Sequence, residues 1–154
     1  MKQLNLSEVL YTGVFINDPK EAAQLYSLVY KYNASMRYAK GFRFVEQLHV
    51  TTTFAGNMPF THIKQLLNMW HDNIAIIIDG IGWDVCNRVI ALRVYSIKHA
   101  ILGIDIRSVN NVKHITLATA NNGKPKESND ITVWHDLEEP VLVQGVMSAV
   151  FKTT

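Results

Sequence analysis

The chain has 154 residues, of which 48% are hydrophobic and 18% are charged. This length suits one domain spanning residues 1–154 and excludes two separately folded enzyme domains. The formal net charge of +2 argues against broad binding to duplex nucleic acid, so we expect a smaller partner. The single cysteine excludes an internal disulfide and a cysteine-based zinc site. Since no stretch is apolar enough for a signal peptide or a membrane span, we expect a cytoplasmic protein without a membrane partner.

The first half of the chain alternates between strand and helix patterns. Val9 to Ile16 is short and rich in β-branched and aromatic residues, which predicts a strand. Pro19 suits the first position of a helix, and the apolar spacing that follows predicts a helix to about Tyr32. Gln47 to Ala55 then predicts a second strand, and the apolar pattern from Ile63 to Trp70 predicts a second helix.

The second half is dominated by strand patterns. Ile74 to Ile78 and Val89 to Tyr95 predict buried strands, and Val112 to Thr119 predicts another. Val141 to Phe151 predicts one or two more strands, whereas Asp136 to Pro140 predicts a solvated turn. The segment 96–111 fits neither pattern clearly. Together these elements predict a domain of the α+β class.

Two of the predicted strands contain the same short motif, His-x-Thr. His49 and Thr51 form the first copy, and His114 and Thr116 form the second. Because successive side chains of a strand alternate between its faces, the histidine and the threonine of each copy lie on the same face. If the two strands are neighbours, one surface therefore carries two imidazoles and two hydroxyls.

This set of side chains is suited to cleaving a phosphodiester bond. One neutral imidazole can remove a proton from the attacking hydroxyl while the other, as imidazolium, protonates the leaving oxygen. Threonine hydroxyls can hold the non-bridging phosphate oxygens. An ordinary histidine pKa of about 6.5 allows both protonation states near neutral pH. The sequence therefore predicts a reaction without a metal or other cofactor.

The motifs resemble those of the two-histidine (2H) phosphoesterase superfamily. Leu48 to Gly56 is similar to its first motif, including the trailing phenylalanine and glycine, and Val112 to Ala118 is similar to its second. The resemblance implies a bilobal α+β domain in which antiparallel sheets line a central cleft and helices lie outside. It also implies metal-independent cleavage of 2′-5′ bonds, cyclic phosphates or RNA ends.

Two further segments resemble one branch of this superfamily, the bacteriophage anti-CBASS nucleases. They are Tyr11 to Pro19 and the loop from Gly123 to Asn129. That resemblance implies cleavage of the 3′-5′ bonds of cyclic messengers used in bacterial immunity. The substrate would be a cyclic dinucleotide of the cGAMP type or a cyclic trinucleotide, and the reaction would take place in the host cytoplasm.

The resemblance also implies roles for individual residues. His49 and His114 would be general base and general acid, in an order that the sequence leaves open, and the threonines of both motifs would bind phosphate. Aromatic residues near the chain ends stack on bases in such enzymes, a role that would fall to Tyr11 and Phe151. Lys124 follows the second motif closely enough to reach a phosphate.

Several alternatives stay open at this point. The same site could act on RNA 2′,3′-cyclic ends or on 2′-5′ oligoadenylate, or the protein could sequester nucleotides without cutting them. Tyr11 could simply pack on the first helix, Lys124 could be a solvated loop lysine, and Ser128 and Asn129 could be turn formers. The sequence does not fix the oligomeric state, a homo-oligomer included. Four histidines outside the motifs are interpreted as structural or surface residues: His62, His71, His99 and His135.

Overall fold

Antiparallel strands make up most of the protein. In this computed structural model, the described residues are 9–54, 64, 68–84, 86, 88–108, 110, 112–121 and 123–151. The strands among them are β1 (Val9–Phe15), β2 (Arg43–Phe44), β3 (His49–Phe54), β4 (Asn73–Trp83), β5 (Val89–His99), β6 (His114–Thr119) and β7 (Trp134–Phe151). The helix α1 covers Pro19–Lys31, and short 3₁₀ helices cover Ser35–Tyr38 and Pro125–Asp130.

The helix α1 begins where the sequence predicts it. The Asp18 side chain accepts a hydrogen bond from the backbone N–H of Lys20 at 2.9 Å, and Pro19 occupies the first turn. Both features satisfy or remove backbone donors that a helix start leaves unpaired. The helix buries Leu25, Leu28 and Val29 against the sheet core, so the predicted apolar face is confirmed.

The strands form one sheet that closes on itself. Its order is β2-β6-β3-β1-β7-β4-β5, and β5 pairs in addition with β6. Every pairing between these strands is antiparallel. The expected antiparallel α+β architecture is therefore confirmed, whereas the bilobal arrangement and the central cleft stay predictions.

A row of fully buried side chains crosses five neighbouring strands. Met147, Val14, Val50, Ile115 and Leu92 are paired in this order from β7 through β1, β3 and β6 to β5, and each is 0% exposed. Burying a side chain of this size stabilises the fold by roughly 1.5–3 kcal/mol. A shift of one residue in the pairing of a strand would turn its buried side chain toward solvent. Burial of the row therefore fixes which face of each strand points to the core.

Three strands, β4, β5 and β7, are longer than the sequence predicts. The prediction of a turn at Asp136 to Pro140 is wrong, because these residues lie inside β7. Ile78 of β4 pairs with Val141 and Gly80 pairs with Asp136, so the segment 137–140 faces Asp79 alone and forms a bulge. A bulge tolerates Pro140, which lacks the N–H that regular pairing requires.

The remaining segments differ in how far the structure tests them. In the ambiguous segment 96–111, β5 continues to His99, and Lys98 makes an isolated antiparallel bridge with Asp105. The predicted helix from Ile63 to Trp70 lies largely outside the described residues. Of the helices that are described, none is long and apolar enough to cross a membrane.

Candidate active site

The two His-x-Thr motifs lie on neighbouring strands, β3 and β6. Val50 pairs with Ile115 in antiparallel register, which sets His49 opposite Thr116 and Thr51 opposite His114. Val50 and Ile115 are fully buried in the core, so the histidines and threonines that flank them share the other face. The structure thus brings together the four residues predicted as catalytic, and their individual roles stay predictions.

Both imidazoles are held in the same way by the backbone. The Nδ1 atom of His114 lies 2.9 Å from the carbonyl oxygen of Val112, and Nδ1 of His49 lies 3.4 Å from the carbonyl oxygen of Gln47. A carbonyl oxygen only accepts hydrogen bonds, so Nδ1 carries the hydrogen in each neutral ring. The basic nitrogen of each ring is therefore Nε2, which the described contacts leave for a ligand.

Burial lowers the pKa of both histidines. For His49, loss of solvent is the main cause and the positive charge of His114 adds to it, while the hydrogen bond to Gln47 opposes it. For His114, burial again lowers the pKa and the hydrogen bond to Val112 opposes it. Burial therefore favours the neutral form of both rings in the free protein. An anionic phosphate beside them would favour the imidazolium form of one ring.

Two aromatic side chains of β1 stack on His49. The ring centroid of His49 lies 5.5 Å from that of Tyr11 and 5.2 Å from that of Phe15, at interplanar angles of 24° and 22°. Tyr11 was predicted at the site, whereas Phe15 was missed, although its spacing of four residues from Tyr11 places both on one face of a strand. Between them, Gly13 pairs with Thr51, and a Cβ there would lie 2.8 Å from the Val50 carbonyl oxygen.

The hydroxyl of Thr116 is fixed by the segment that follows β6. It donates to the carbonyl oxygen of Pro125 at 3.2 Å and lies 2.8 Å from the hydroxyl of Ser128. Ser128 is 1% exposed, which makes it part of the site's support rather than only a turn former. The same segment is held further along by Glu127, which forms an ion pair with Arg88 at 2.9 Å.

Two residues predicted to bind substrate make their described contacts with residues other than the histidines. Lys124 is exposed, and its backbone N–H donates to Glu127 at 2.9 Å. Phe151 is 37% exposed and packs edge-on against Trp70, with centroids 6.2 Å apart. The contacts found among the described residues join neither side chain to His49 or His114, so their binding roles stay predictions.

An arginine that the sequence analysis missed lies beside the second motif. Arg93 of β5 pairs with His114 of β6. Its Nε donates to Asp79 at 2.8 Å and its terminal nitrogen donates to Asp136 at 2.5 Å. These hydrogen bonds raise its pKa. The two carboxylates therefore compensate much of the positive charge next to His114, and no short motif reveals this distant trio.

The remaining described histidines have other surroundings. His99 is 5% exposed, and its Nε2 lies 2.8 Å from a carboxylate oxygen of Asp72. His135 stacks on Trp83 with centroids 4.8 Å apart. His62 lies outside the described residues. Within the described part of the chain, no group of three or more histidine, cysteine, aspartate or glutamate side chains could hold a metal ion.

Comparisons with known proteins identify a family and a shared fold. The family model described as "Fungal tRNA ligase phosphodiesterase domain" matches residues 37–153, which contain both motifs. A solved structure, "Crystal Structure of Fungal RNA Kinase", shares the fold over 97% of this chain with a TM-score of 0.62 and 11% identity. The chain spans 47% of that protein, or about half of its length. No curated protein sequence matches the chain.

These findings are consistent with the 2H superfamily and lend no support to its bacteriophage anti-CBASS branch. They support phosphodiesterase chemistry without fixing the substrate. Because the match covers most of the sequence, the chain belongs to the fungal tRNA ligase phosphodiesterase domain family.

Proposed function

We propose that the protein hydrolyses the 2′,3′-cyclic phosphate at the 3′ end of an RNA without a metal ion. The observation that carries the proposal is the pairing of β3 with β6, which sets both His-x-Thr motifs on one face. Each ring is tied through Nδ1 to a backbone carbonyl two residues earlier. The face therefore offers two basic Nε2 atoms, the minimum equipment for paired proton transfer.

The reaction needs one proton removed and one supplied. The oxygen of a water molecule forms a bond to phosphorus while one of the two bonds from phosphorus to ribose oxygen breaks. One imidazole takes the proton of the water, and the other imidazole, protonated when the anionic substrate binds, gives its proton to the departing ribose oxygen. The product is an RNA phosphomonoester beside a free ribose hydroxyl.

The hydroxyls and aromatic rings of the site have separate tasks in this proposal. Thr51 and Thr116 would donate hydrogen bonds to the phosphate oxygens, where negative charge accumulates in the transition state. Thr116 has to turn its O–H away from the Pro125 carbonyl to do so, while Ser128 keeps its oxygen in place. Tyr11 and Phe15 hold the plane of His49 by stacking.

The family match favours an RNA end over the cyclic dinucleotides and trinucleotides that the sequence suggests. No described contact favours 2′-5′ oligoadenylate. Because all these substrates would use the same histidines, only a direct comparison of substrates decides among them.

The experiment is a substrate panel in excess EDTA, followed by mass spectrometry. The panel contains a single-stranded RNA with a 2′,3′-cyclic end, a cyclic dinucleotide, a cyclic trinucleotide and 2′-5′ oligoadenylate. We expect the RNA end to gain the mass of one water. Opening of only the cyclic dinucleotide or trinucleotide would overturn the RNA-end proposal, and recovery of an intact, tightly held ligand would indicate sequestration. Activity that EDTA abolishes and zinc or manganese restores would contradict the two-histidine mechanism.

A further inference from the structure

A basic groove of about 620 Å³ adjoins the second motif. It runs between the last part of β5 and residues 105–108, 110 and 113. One hydrogen bond and one sequence neighbour connect it to the site. Ser108, on the groove wall, donates a hydrogen bond to the carbonyl oxygen of Thr51 at 2.7 Å, and Lys113, also on the wall, directly precedes His114. The groove therefore adjoins the two strands that carry the motifs.

The charges of the groove favour an anionic ligand. Its lining carries three cations, Lys98, Arg107 and Lys113, and one carboxylate, Asp105. Asp105 lies 3.9 Å from the ammonium group of Lys98 and so compensates that charge in part. In the part of the chain that the structure describes, Arg107 and Lys113 have no carboxylate partner. The net charge of this lining alone is +2, which equals the net charge of the whole chain.

The groove also presents an aromatic ring. Tyr95 lies on its wall and is 68% exposed, so a face of its ring is open to a ligand. Cationic side chains that follow a phosphate backbone, combined with an exposed ring on which a base can stack, are typical of surfaces that bind single-stranded nucleic acid. A volume of this size lies within the range of about 300–1,000 Å³ found for small-ligand pockets.

We propose that this groove holds the single-stranded RNA that leads to the cyclic end, an inference that rests on the function proposed above. At a 3′ end the chain continues in one direction only, so one groove beside the histidines is enough. Arg107 and Lys113 contact backbone phosphates, and Tyr95 stacks on a base. A cyclic dinucleotide has no such extension and gains nothing from the groove.

The test compares substrates of different length. It measures kcat/KM for a 2′,3′-cyclic mononucleotide and for single-stranded RNAs of two, four and eight nucleotides with the same cyclic end. We expect the ratio of the longer substrates to the mononucleotide to rise to about fivefold or more, the smallest gain expected from one stacked base. Arg107→Ala and Tyr95→Ala should each reduce this ratio, and raising the salt concentration should reduce it in the wild type.

Two substitutions outside the groove serve as matched controls. Lys20→Ala removes a cation from an exposed position on α1, and Tyr38→Ala removes a tyrosine that is 76% exposed. Both should leave the ratio at its wild-type value. A wild-type ratio near one, or a ratio that falls equally in the controls, would overturn the groove proposal even though the mononucleotide is hydrolysed.

Failure of the proposed function gives a different result, namely that no cyclic end is hydrolysed at any length. The groove is then tested by fluorescence anisotropy with a labelled eight-nucleotide single-stranded RNA carrying a 3′-phosphate. Binding that Arg107→Ala weakens and Lys20→Ala does not would support the groove. Absent binding, or equal weakening in both variants, would overturn it.

Discussion

Removing the Ser128 hydroxyl, which lies beside that of Thr116, tests whether this contact supports catalysis or only the stability of the fold. The two oxygens lie 2.8 Å apart, and Ser128 is 1% exposed. Ser128→Ala leaves Thr116 with the Pro125 carbonyl as its partner, at 3.2 Å. Because Thr116 keeps a partner, the substitution removes only the net contribution of one hydrogen bond, about 0.5–1.5 kcal/mol of stability. For a chain of this size we expect Tm to fall by about 1–6 °C.

The effect on catalysis should be larger than this stability loss explains. Thr116 lies opposite His49, and its hydroxyl can bind the phosphate only if its oxygen stays in place. A small misplacement of a catalytic group can reduce the rate by up to about a hundredfold. We expect kcat/KM for the cyclic end to fall roughly tenfold, which corresponds to about 1.4 kcal/mol of transition-state stabilisation.

A second hydroxyl pair provides the control. Thr12 and Thr52 have their hydroxyl oxygens 2.6 Å apart, and both are 0% exposed. Thr52 alternates with Thr51 along β3, so this pair belongs to the opposite face of the sheet. Thr12→Val should therefore lower Tm at least as much as Ser128→Ala does and leave kcat/KM near its wild-type value.

The assay measures both variants at one temperature at which each is fully folded, with Tm taken from circular dichroism. Equal losses of kcat/KM in Ser128→Ala and Thr12→Val would refute the reasoning, because the activity would then follow stability alone. Unchanged activity in Ser128→Ala would refute it as well.

Three further predictions concern the same face. Burial lowers the pKa of His49 and His114 below 6.5, so the unfolded chain binds more protons and the free energy of unfolding falls as the pH drops through and below 6.5. In urea titrations between about pH 7 and about pH 5, the free energy of unfolding of the double variant H49Q/H114Q should therefore depend less on pH than that of the wild type. An unchanged pH dependence would contradict the assignment. Gly13→Ala would set a Cβ 2.8 Å from the Val50 carbonyl oxygen and should lower Tm and kcat/KM together. Wild-type values of both would show that β1 and β3 can move apart here without loss of stability or activity. Phe15→Ala exposes one face of the His49 ring, so its pKa measured by NMR should move up toward the ordinary value, and a further fall would show that burial is not the main cause.

Local patterns in the sequence explain the part of the site that could be predicted. The alternation of a strand sets His49 with Thr51 and His114 with Thr116 without any knowledge of the fold. The capping carboxylate and the proline at the start of α1 are equally local signals. Both kinds of signal depend on residues a few positions apart, which is why they could be recognised in one sequence.

Contacts between distant segments could not be predicted in the same way. No short sequence pattern near β6 indicates that the Ser128 hydroxyl contacts that of Thr116. None indicates that Arg93 forms hydrogen bonds with Asp79 and Asp136. The bulge in β7 was missed because Pro140 and its acidic neighbours have the composition of a turn, while the pairing of β7 with β4 decides the outcome. The substrate branch stays a prediction for a related reason, since the motifs record the chemistry of the phosphate and say little about what is attached to it.

The central claim is that two imidazoles act together in one step, and a double-mutant cycle on hydrolysis of the RNA cyclic end tests it most directly. His49→Gln and His114→Gln should each reduce kcat by about 10²–10⁴-fold, while His135→Gln should leave it unchanged. If the rings work as a pair, the double variant should lose little more than the worse single variant. Losses that multiply, or a single variant that keeps wild-type kcat, would contradict the account.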